Sequence, residues 1–586
     1  MSSSADTEDK SPYCRFAENP NAEYKSQGLE NFCPVPMTML HSDGSILYET
    51  VYFGLLHEIV VQNDTNALQI YLTIAPWAVS IEPVSANDLW AVPDRHLFPD
   101  ECDCDVVVDI NYCMSAASQG SLGVLKILLD HCTKGKNPDM KIRFDSEQGL
   151  LLNEAAQHGQ VDIVRFLLDN QPRYASIYER DQNDHTALLS AASAYNIDLP
   201  TSAQEGLPGS TESEAIINLL LDRGASASDV SYGDEKLHNT VLTLAAEWAG
   251  SQLIKRLIDN GANIYTKVTR DRWEDKFWNI PDSTFEVNAL YVACTHGNFE
   301  AVKTLIDCRG TEVDFLDVLW RRDSRGSLPL HWVAQCSLPK ETFGYSKAAV
   351  LDKARSIANI IELLLDLDPT IINVPDNDGN TPLHYATRSP SRYDKMYTPI
   401  IQLLCTRGGD ASIQNTEGQT PLHTLFRPED GDGYRVYFRT KNPVDTATVV
   451  TLLAHGASPT DIDMAGDTPL HIAAANLEWA DVVSLLLVHG ADPALQNLKG
   501  QTALHCAAAG TYLGLNKDYK SPERIRAQED VLSRLVKAGG VELMDLTDSE
   551  GLDPREICHK TRHGWKELDG PPKQTGNGRG PRMHKI

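Results

Sequence analysis

Four stretches decide the fold: DNDGNTPLHYA (376–386), NTEGQTPLHTL (415–425), MAGDTPLHIAA (464–474) and LKGQTALHCAA (498–508). Each is followed by an apolar run that ends at glycine: IIQLLCTRGGD (400–410), VVTLLAHGASP (449–459), VVSLLLVHGAD (482–492) and VLSRLVKAGG (531–540). Self-similarity of this kind marks stacked units, each of which needs its neighbours to bury an apolar face. The glycines at 379, 418, 466 and 500 fit a turn that needs positive φ. Thr381, Thr420, Thr468 and Thr502 are expected at helix N-caps, their hydroxyls accepting an orphan backbone N–H. Pro382, Pro421 and Pro469 follow at the first helical position, where a missing N–H costs nothing. A second helix then carries an apolar stripe, with Leu485 placed in the core, and Gly408, Gly456 and Gly490 suit its left-handed end.

This unit resembles the ankyrin repeat. The resemblance runs upstream through SLPLHWVA (327–334) with IIELLLDLDP (360–369), then residues 288–307, 241–263, 186–225, 151–170 and 113–131. The most degenerate copy is LLHEIVVQNDTNALQIYLTIAP (55–76), and DSEGLDPREI (548–557) resembles a truncated final half-repeat. The resemblance implies an all-α solenoid of about eleven helix-pair repeats with a C-terminal half-repeat cap, atypical ends being what covers an open core. It divides the chain into a flexible arm at 1–44, a degenerate first repeat with an irregular acidic linker at 45–112, the array at 113–560 and a disordered Gly/Pro-rich basic tail at 561–586.

Spacing departs from the usual period of about 33 residues. Pro382 to Pro421 is 421 − 382 = 39 residues, and Pro421 to Pro469 is 469 − 421 = 48. The surplus falls between the first and second helices, at 197–213, 336–356, 388–397, 427–445 and 510–528. Such insertions project from one edge of a solenoid.

The net charge of −29 disfavours phosphate backbones and anionic lipid as direct partners. No run reaches the roughly 18 apolar residues of a membrane helix, and the first residues lack a basic and then apolar leader pattern. The 12 cysteines are scattered, some at apolar repeat positions such as Cys294 and Cys506, which suits a reducing compartment, cytoplasmic or nuclear.

Candidate chemistry is sparse. His331, His384, His423, His471 and His505 recur at one motif position, where the resemblance implies a structural ring bonded near the motif Thr and the neighbouring loop. A repeated residue marks a repeated unit, not a unique catalytic site. Cys102, Cys104 and Cys113 with His96 offer four zinc-binding atoms, but C-x-C is tighter than the pairs of known tetrahedral sites. Phosphate-binding, nucleophile-elbow, kinase and H-E-x-x-H motifs do not occur. No catalytic, cofactor-binding or metal site is therefore assigned, and no cofactor is expected. Aromatic residues are the stronger signal. The segment 267–287 brings Trp273, Phe277, Trp278 and Phe285 into one repeat connection, and the next carries Trp320, Arg321 and Arg322. These residue types anchor protein interfaces.

The functional expectation is a non-catalytic scaffold or adaptor that binds other proteins along its concave face and fingers. A second class, similar to fungal ankyrin proteins of metabolite gene clusters, co-regulates transcription; with no basic helix and no heptads in its first forty residues, this chain would act through a DNA-binding partner. A third is an enzyme or biosynthetic accessory with a pocket beneath the insertions.

Overall fold

A computed structural model describes residues 13–18, 37–41, 46–49, 55–74, 112–134, 150–193, 209–233, 236–271, 284–308, 318–339, 346–389, 395–427, 444–510 and 521–568. The described chain is mostly helical, with a few short strands, and divides into two compact units, residues 1–269 and 270–586.

In the first unit helices come in pairs: Leu55–Val61 with Thr65–Ile74, Tyr112–Gln119 with Leu122–Thr133, Leu151–Gln157 with Val161–Asp169, Ala187–Ser193 with Gly209–Asp222, and Val241–Ala245 with Ser251–Asp259. First helices stack on first helices from pair to pair. The second unit repeats the plan. Its first helices are Ala289–Thr295, Pro329–Gln335, Pro382–Arg388, Pro421–Phe426, Pro469–Ala474 and Ala503–Ala509. Their partners are Phe299–Asp307, Lys347–Leu367, Thr398–Thr406, Thr446–Ala454, Ala480–Val488 and Ser521–Gly539, and Pro554–Leu568 closes the stack against Ala503–Ala509.

The first helices are short and almost wholly buried because small and aliphatic side chains face neighbours on both sides: Leu383 and Ala386, Leu422 and Leu425, Leu470 and Ala473, Leu504 and Ala507 are all fully buried. Second helices bury one stripe only. Along their outer edge an arginine meets an aspartate of the preceding second helix, as in Arg223–Asp169 at 2.6 Å, Arg256–Asp222 at 2.5 Å and Arg534–Asp481 at 2.9 Å. These pairs are solvent-exposed, so each adds at most about 1 kcal/mol.

The structure corrects four expectations. The segment 1–44, expected as an arm, contains strands Tyr13–Glu18 and Met37–His41, which with Ile46–Glu49 form a three-stranded antiparallel sheet pairing Phe16 with Met39 and Thr38 with Glu49. Its strands are short and separated by 18 mostly polar residues, so no period emerges from the sequence. At the other end, helix Pro554–Leu568 runs past the expected start of a disordered tail at 561. Arg562 holds it there, its Nε donating to Gln528 Oε1 at 2.6 Å while Gln528 Nε2 donates to the Ala508 carbonyl at 2.7 Å. Stretches read as insertions are partly helical: Lys347–Leu367 and Ser521–Gly539 start inside them and lengthen the second helix at its N-terminal end. The core register also shifts by one residue. In Ala480–Val488 the buried side chains are Val482, Val483 and Leu486, whereas Leu485 is only half-buried.

Leu486→Ala is therefore expected to cost about 2–5 kcal/mol, as for truncating a fully buried leucine, and Leu485→Ala clearly less. Hydrogen exchange across 469–509 should lose protection in the first variant and keep most of it in the second; equal losses would restore the register centred on Leu485.

Candidate functional site

In the second unit the loops that precede helices Pro329–Gln335, Pro382–Arg388, Pro421–Phe426, Pro469–Ala474, Ala503–Ala509 and Pro554–Leu568 are built alike, each bonded to the next. Each begins with Asp or Asn whose Oδ1 accepts two backbone N–H groups, from the second and fourth residues onward. Asp376 holds Asp378 and Asn380, Asn415 holds Glu417 and Gln419, Asp463 holds Ala465 and Asp467, and Asn497 holds Lys499 and Gln501, all at 2.8–3.0 Å. Asp323 and Asp548 do the same at the two ends of the row. The glycine between the two donors closes the turn. At Gly379 (φ +77°) a Cβ would sit 2.8 Å from Thr416 N, and at Gly466 (φ +75°) 2.8 Å from Leu498 N, so both the conformation and the next loop exclude a side chain.

One backbone hydrogen bond joins each finger to the one before. The N–H groups of Asn377, Thr416, Met464, Leu498 and Ser549 donate to the carbonyls of Arg325, Asp378, Glu417, Ala465 and Lys499, at 2.9–3.0 Å. The side chains of the five donor residues are left exposed.

The motif histidines lock this row to the helices. Thr381, Thr420, Thr468 and Thr502 do stand at N-caps, but their hydroxyls face the histidine ring and not chiefly the helix N–H groups. The backbone N–H of each threonine donates to Nδ1 of His384, His423, His471 or His505 at 3.1–3.2 Å, and its Oγ1 lies 2.8–2.9 Å from the same nitrogen. Leu328 N–H serves His331 in the same way at 2.9 Å. An Nδ1 that accepts leaves the proton on Nε2, which donates to a carbonyl of the next finger: Asn380 for His331 at 3.2 Å, Gln419 for His384 at 3.0 Å, Asp467 for His423 at 3.2 Å and Gln501 for His471 at 3.0 Å. At His505 only the threonine half reaches hydrogen-bond geometry. Burial pushes the pKa of His331 and His384 down to about 4, and lowers those of His423, His471 and His505 as well. With both nitrogens occupied, the rings of His331, His384, His423 and His471 have no lone pair or N–H to offer a substrate.

The aromatic and arginine residues singled out in the sequence are placed unevenly. Trp273, Phe277 and Trp278 lie outside the described residues, and Phe285 stands in the strand Thr284–Val287. Trp320 is 39% exposed and its indole N–H donates to Asp368 Oδ2 at 2.7 Å. The carbonyl of Arg321 accepts the Tyr291 hydroxyl. Arg322 bridges two fingers, donating to the Gly326 carbonyl at 2.6 Å and the Pro375 carbonyl at 2.9 Å. The structure thus gives Trp320 and Arg322 partners within the chain. It also supplies residues that sequence inspection missed. Trp332 and Tyr385, each just after a motif histidine, donate to the second oxygen of the turn aspartates Asp323 (2.9 Å) and Asp376 (2.8 Å); the signal was an aromatic nine residues after each of these aspartates. In the first unit Asp181 builds the same turn, with Asp184 at φ +59° where the other loops carry glycine. Of the four zinc candidates only Cys113 is described. It is buried and faces Cys132, and the hydrogen bond with that thiol, together with burial, raises its pKa. Among the described residues no cluster of His, Cys, Asp or Glu is arranged to hold a metal ion.

Comparison with known proteins agrees with this geometry. Residues 378–416 match the family described as ankyrin repeat, and residues 441–515 the family described as ankyrin repeats in three copies. The chain carries ankyrin repeats. It is 30% identical over 128 residues to a putative ankyrin repeat protein of Rickettsia felis, covering 22% of this chain and 51% of that protein. It is 39% identical over 67 residues to a putative ankyrin repeat protein of fowlpox virus (11% and 14%) and 22% identical over 244 residues to an intracellular phospholipase A2 of Caenorhabditis elegans (40% and 19%). The chain thus spans about half or less of the relatives it matches.

The buried histidines set a pH dependence. The folded pKa of His331 and His384 is about 4, below the unfolded value near 6.5, so between about 6.5 and 4 the unfolded chain binds more protons and stability falls as pH drops; the lowered pKa values of His423, His471 and His505 act in the same direction. Each histidine contributes up to about 1.4 kcal/mol per pH unit in that window and nothing above it. The urea midpoint should be flat from pH 8 to 7 and fall from pH 6.5 to 5. His384→Gln should lower it at pH 7.5 and shrink the acid-side slope; an unchanged slope would contradict the buried neutral ring.

Proposed function

We propose that the chain is a non-catalytic scaffold or adaptor of the cytoplasm or nucleus that binds other proteins along its row of fingers. The observation that carries this reading is the division of labour in the row. Turn carboxylates, backbone and histidine rings are spent on holding the fingers in register, while the side chains of the five ladder donors at the tips are exposed. A rigid backbone with variable exposed side chains binds without the ordering penalty of a flexible loop. Ankyrin repeats in general bind other proteins, and the cysteines from Cys113 to Cys558 form no disulfide, which fits a reducing compartment. No described helix is long and apolar enough to cross a membrane.

Affinity purification of the tagged full chain with mass spectrometry tests the reading: a protein should co-purify in a stable ratio. Transcription factors among the captured proteins would favour co-regulation, and a bound metabolite with no protein would favour the accessory-enzyme class. The finger Lys267–Val287 is proposed to contribute. Trp273→Ala with Trp278→Ala should weaken capture by about 2 kcal/mol or more, as for interface anchors, with little change in melting temperature. A lower melting temperature with unchanged affinity would assign those rings to the protein's own core.

A further inference from the structure

Two neighbouring fingers break the pattern at their tips. The residue after the turn Asp or Asn is polar in four fingers, Ser324, Asn377, Thr416 and Ser549, but it is Met464 and Leu498 in the other two. Met464 is 71% and Leu498 79% exposed, and Ile462 and Leu495 on the same two fingers and Leu546 on the next are exposed as well. Folding does not ask for these side chains. Met464 and Leu498 serve the row only through their backbone N–H groups, and the four sibling fingers make the same turn with polar residues. The bond from Leu498 N–H to the Ala465 carbonyl at 3.0 Å sets the two fingers next to each other, so the apolar residues form one patch. Apolar side chains clustered at the surface without a folding role mark an interaction site.

The surroundings select the partner by charge. Across the five fingers at 374–380, 413–419, 460–467, 494–501 and 546–553, Lys499 is the single base. Asp378, Asp461, Asp467 and Glu550 supply an excess of negative charge on both sides of the patch, while Glu417 is paired with Arg427 at 3.1 Å. A partner segment that places large apolar side chains on Met464 and Leu498 brings its flanking residues against these carboxylates, where cations are favoured and anions repelled.

We propose that the fingers at 460–467 and 494–501 form a docking surface for a short cationic segment of another protein, carrying two large apolar side chains flanked by Lys or Arg. Neighbouring units of a helix stack are about 8–10 Å apart, so in a segment of polyproline-II form, with three residues per turn and about 3.1 Å per residue, side chains three residues apart share one face at about that spacing. The proposal rests on the reading of the chain as a protein-binding array and names where and what it binds.

The test uses the full chain and a fluorescein-labelled peptide in which Leu recurs every third residue with Lys between, KLKKLKKLKKLK. Its controls replace every Leu by Ser or every Lys by Glu. Fluorescence anisotropy should show binding of the Lys/Leu peptide that weakens with salt and falls at least tenfold with either control. The variant Met464→Thr with Leu498→Ser uses the residue types that Thr416 and Ser549 already place at this position, so its melting temperature should stay at the wild-type value. It should bind the Lys/Leu peptide at least tenfold more weakly. Equal binding by the variant, equal binding of the Lys/Ser peptide, or no binding of the Lys/Leu peptide overturns the proposal. So does concentration-dependent dimerisation that the variant abolishes, since a second copy would then own the surface. A protein partner captured equally by wild type and variant refutes this surface while leaving the adaptor reading intact; failure to capture any protein refutes the adaptor reading itself.

Discussion

In the second unit four of the motif histidines are held on one nitrogen by their own helix cap and reach with the other to the finger of the next repeat. This buried bond is where local and long-range structure meet. Remove the ring and two things fail together: the N–H of the cap residue loses its acceptor, and a carbonyl of the neighbouring finger loses its donor. Unmade buried hydrogen bonds cost about 1–3 kcal/mol each, so the geometry of one unit is enforced by the next. The glycine turns, the Asp and Asn clasps and the backbone ladder between fingers all presuppose the spacing that these rings set.

That dependence explains why the fold was legible where it was. T-P-L-H states the cap, the first helical residue, a core side chain and the inter-repeat bond in four letters, and the helices begin where the motif puts them. Legibility fell where the cause is not local. Leu485 and Leu486 are equally apolar, and only the angle at which the helix meets its neighbours decides which is buried. The N-terminal strands pair across a polar interval that no periodicity bridges. Helix Pro554–Leu568 presents Lys560, His563 and Lys566 outward and reads as a solvated tail until Arg562 is seen on Gln528.

The candidate site was harder to see. Aromatic density drew attention to 267–287 and 320–322, because aromatic and arginine side chains are common interface anchors. Yet Trp320 and Arg322 are engaged within the chain, and the exposed Met464 and Leu498 sit inside the best-conforming motif copies. Their distinction lies in comparison between fingers: an apolar letter where the siblings are polar. Such a signal becomes visible only after the turns have been superposed in register.

The finger ladder has an electrostatic corollary. At four of the five junctions the backbone donor belongs to the later finger, and the imidazole donor to the earlier repeat. The two dipoles point in opposite senses and largely cancel, unlike the head-to-tail peptides of a helix, whose moments add. The row therefore builds up no axial polarity of its own. The potential above the fingertips comes from side-chain charges, the carboxylates and the ammonium of Lys499, and at physiological salt fades within about 8 Å. Exchanging one acid at a tip retunes that finger and leaves its neighbours as they were.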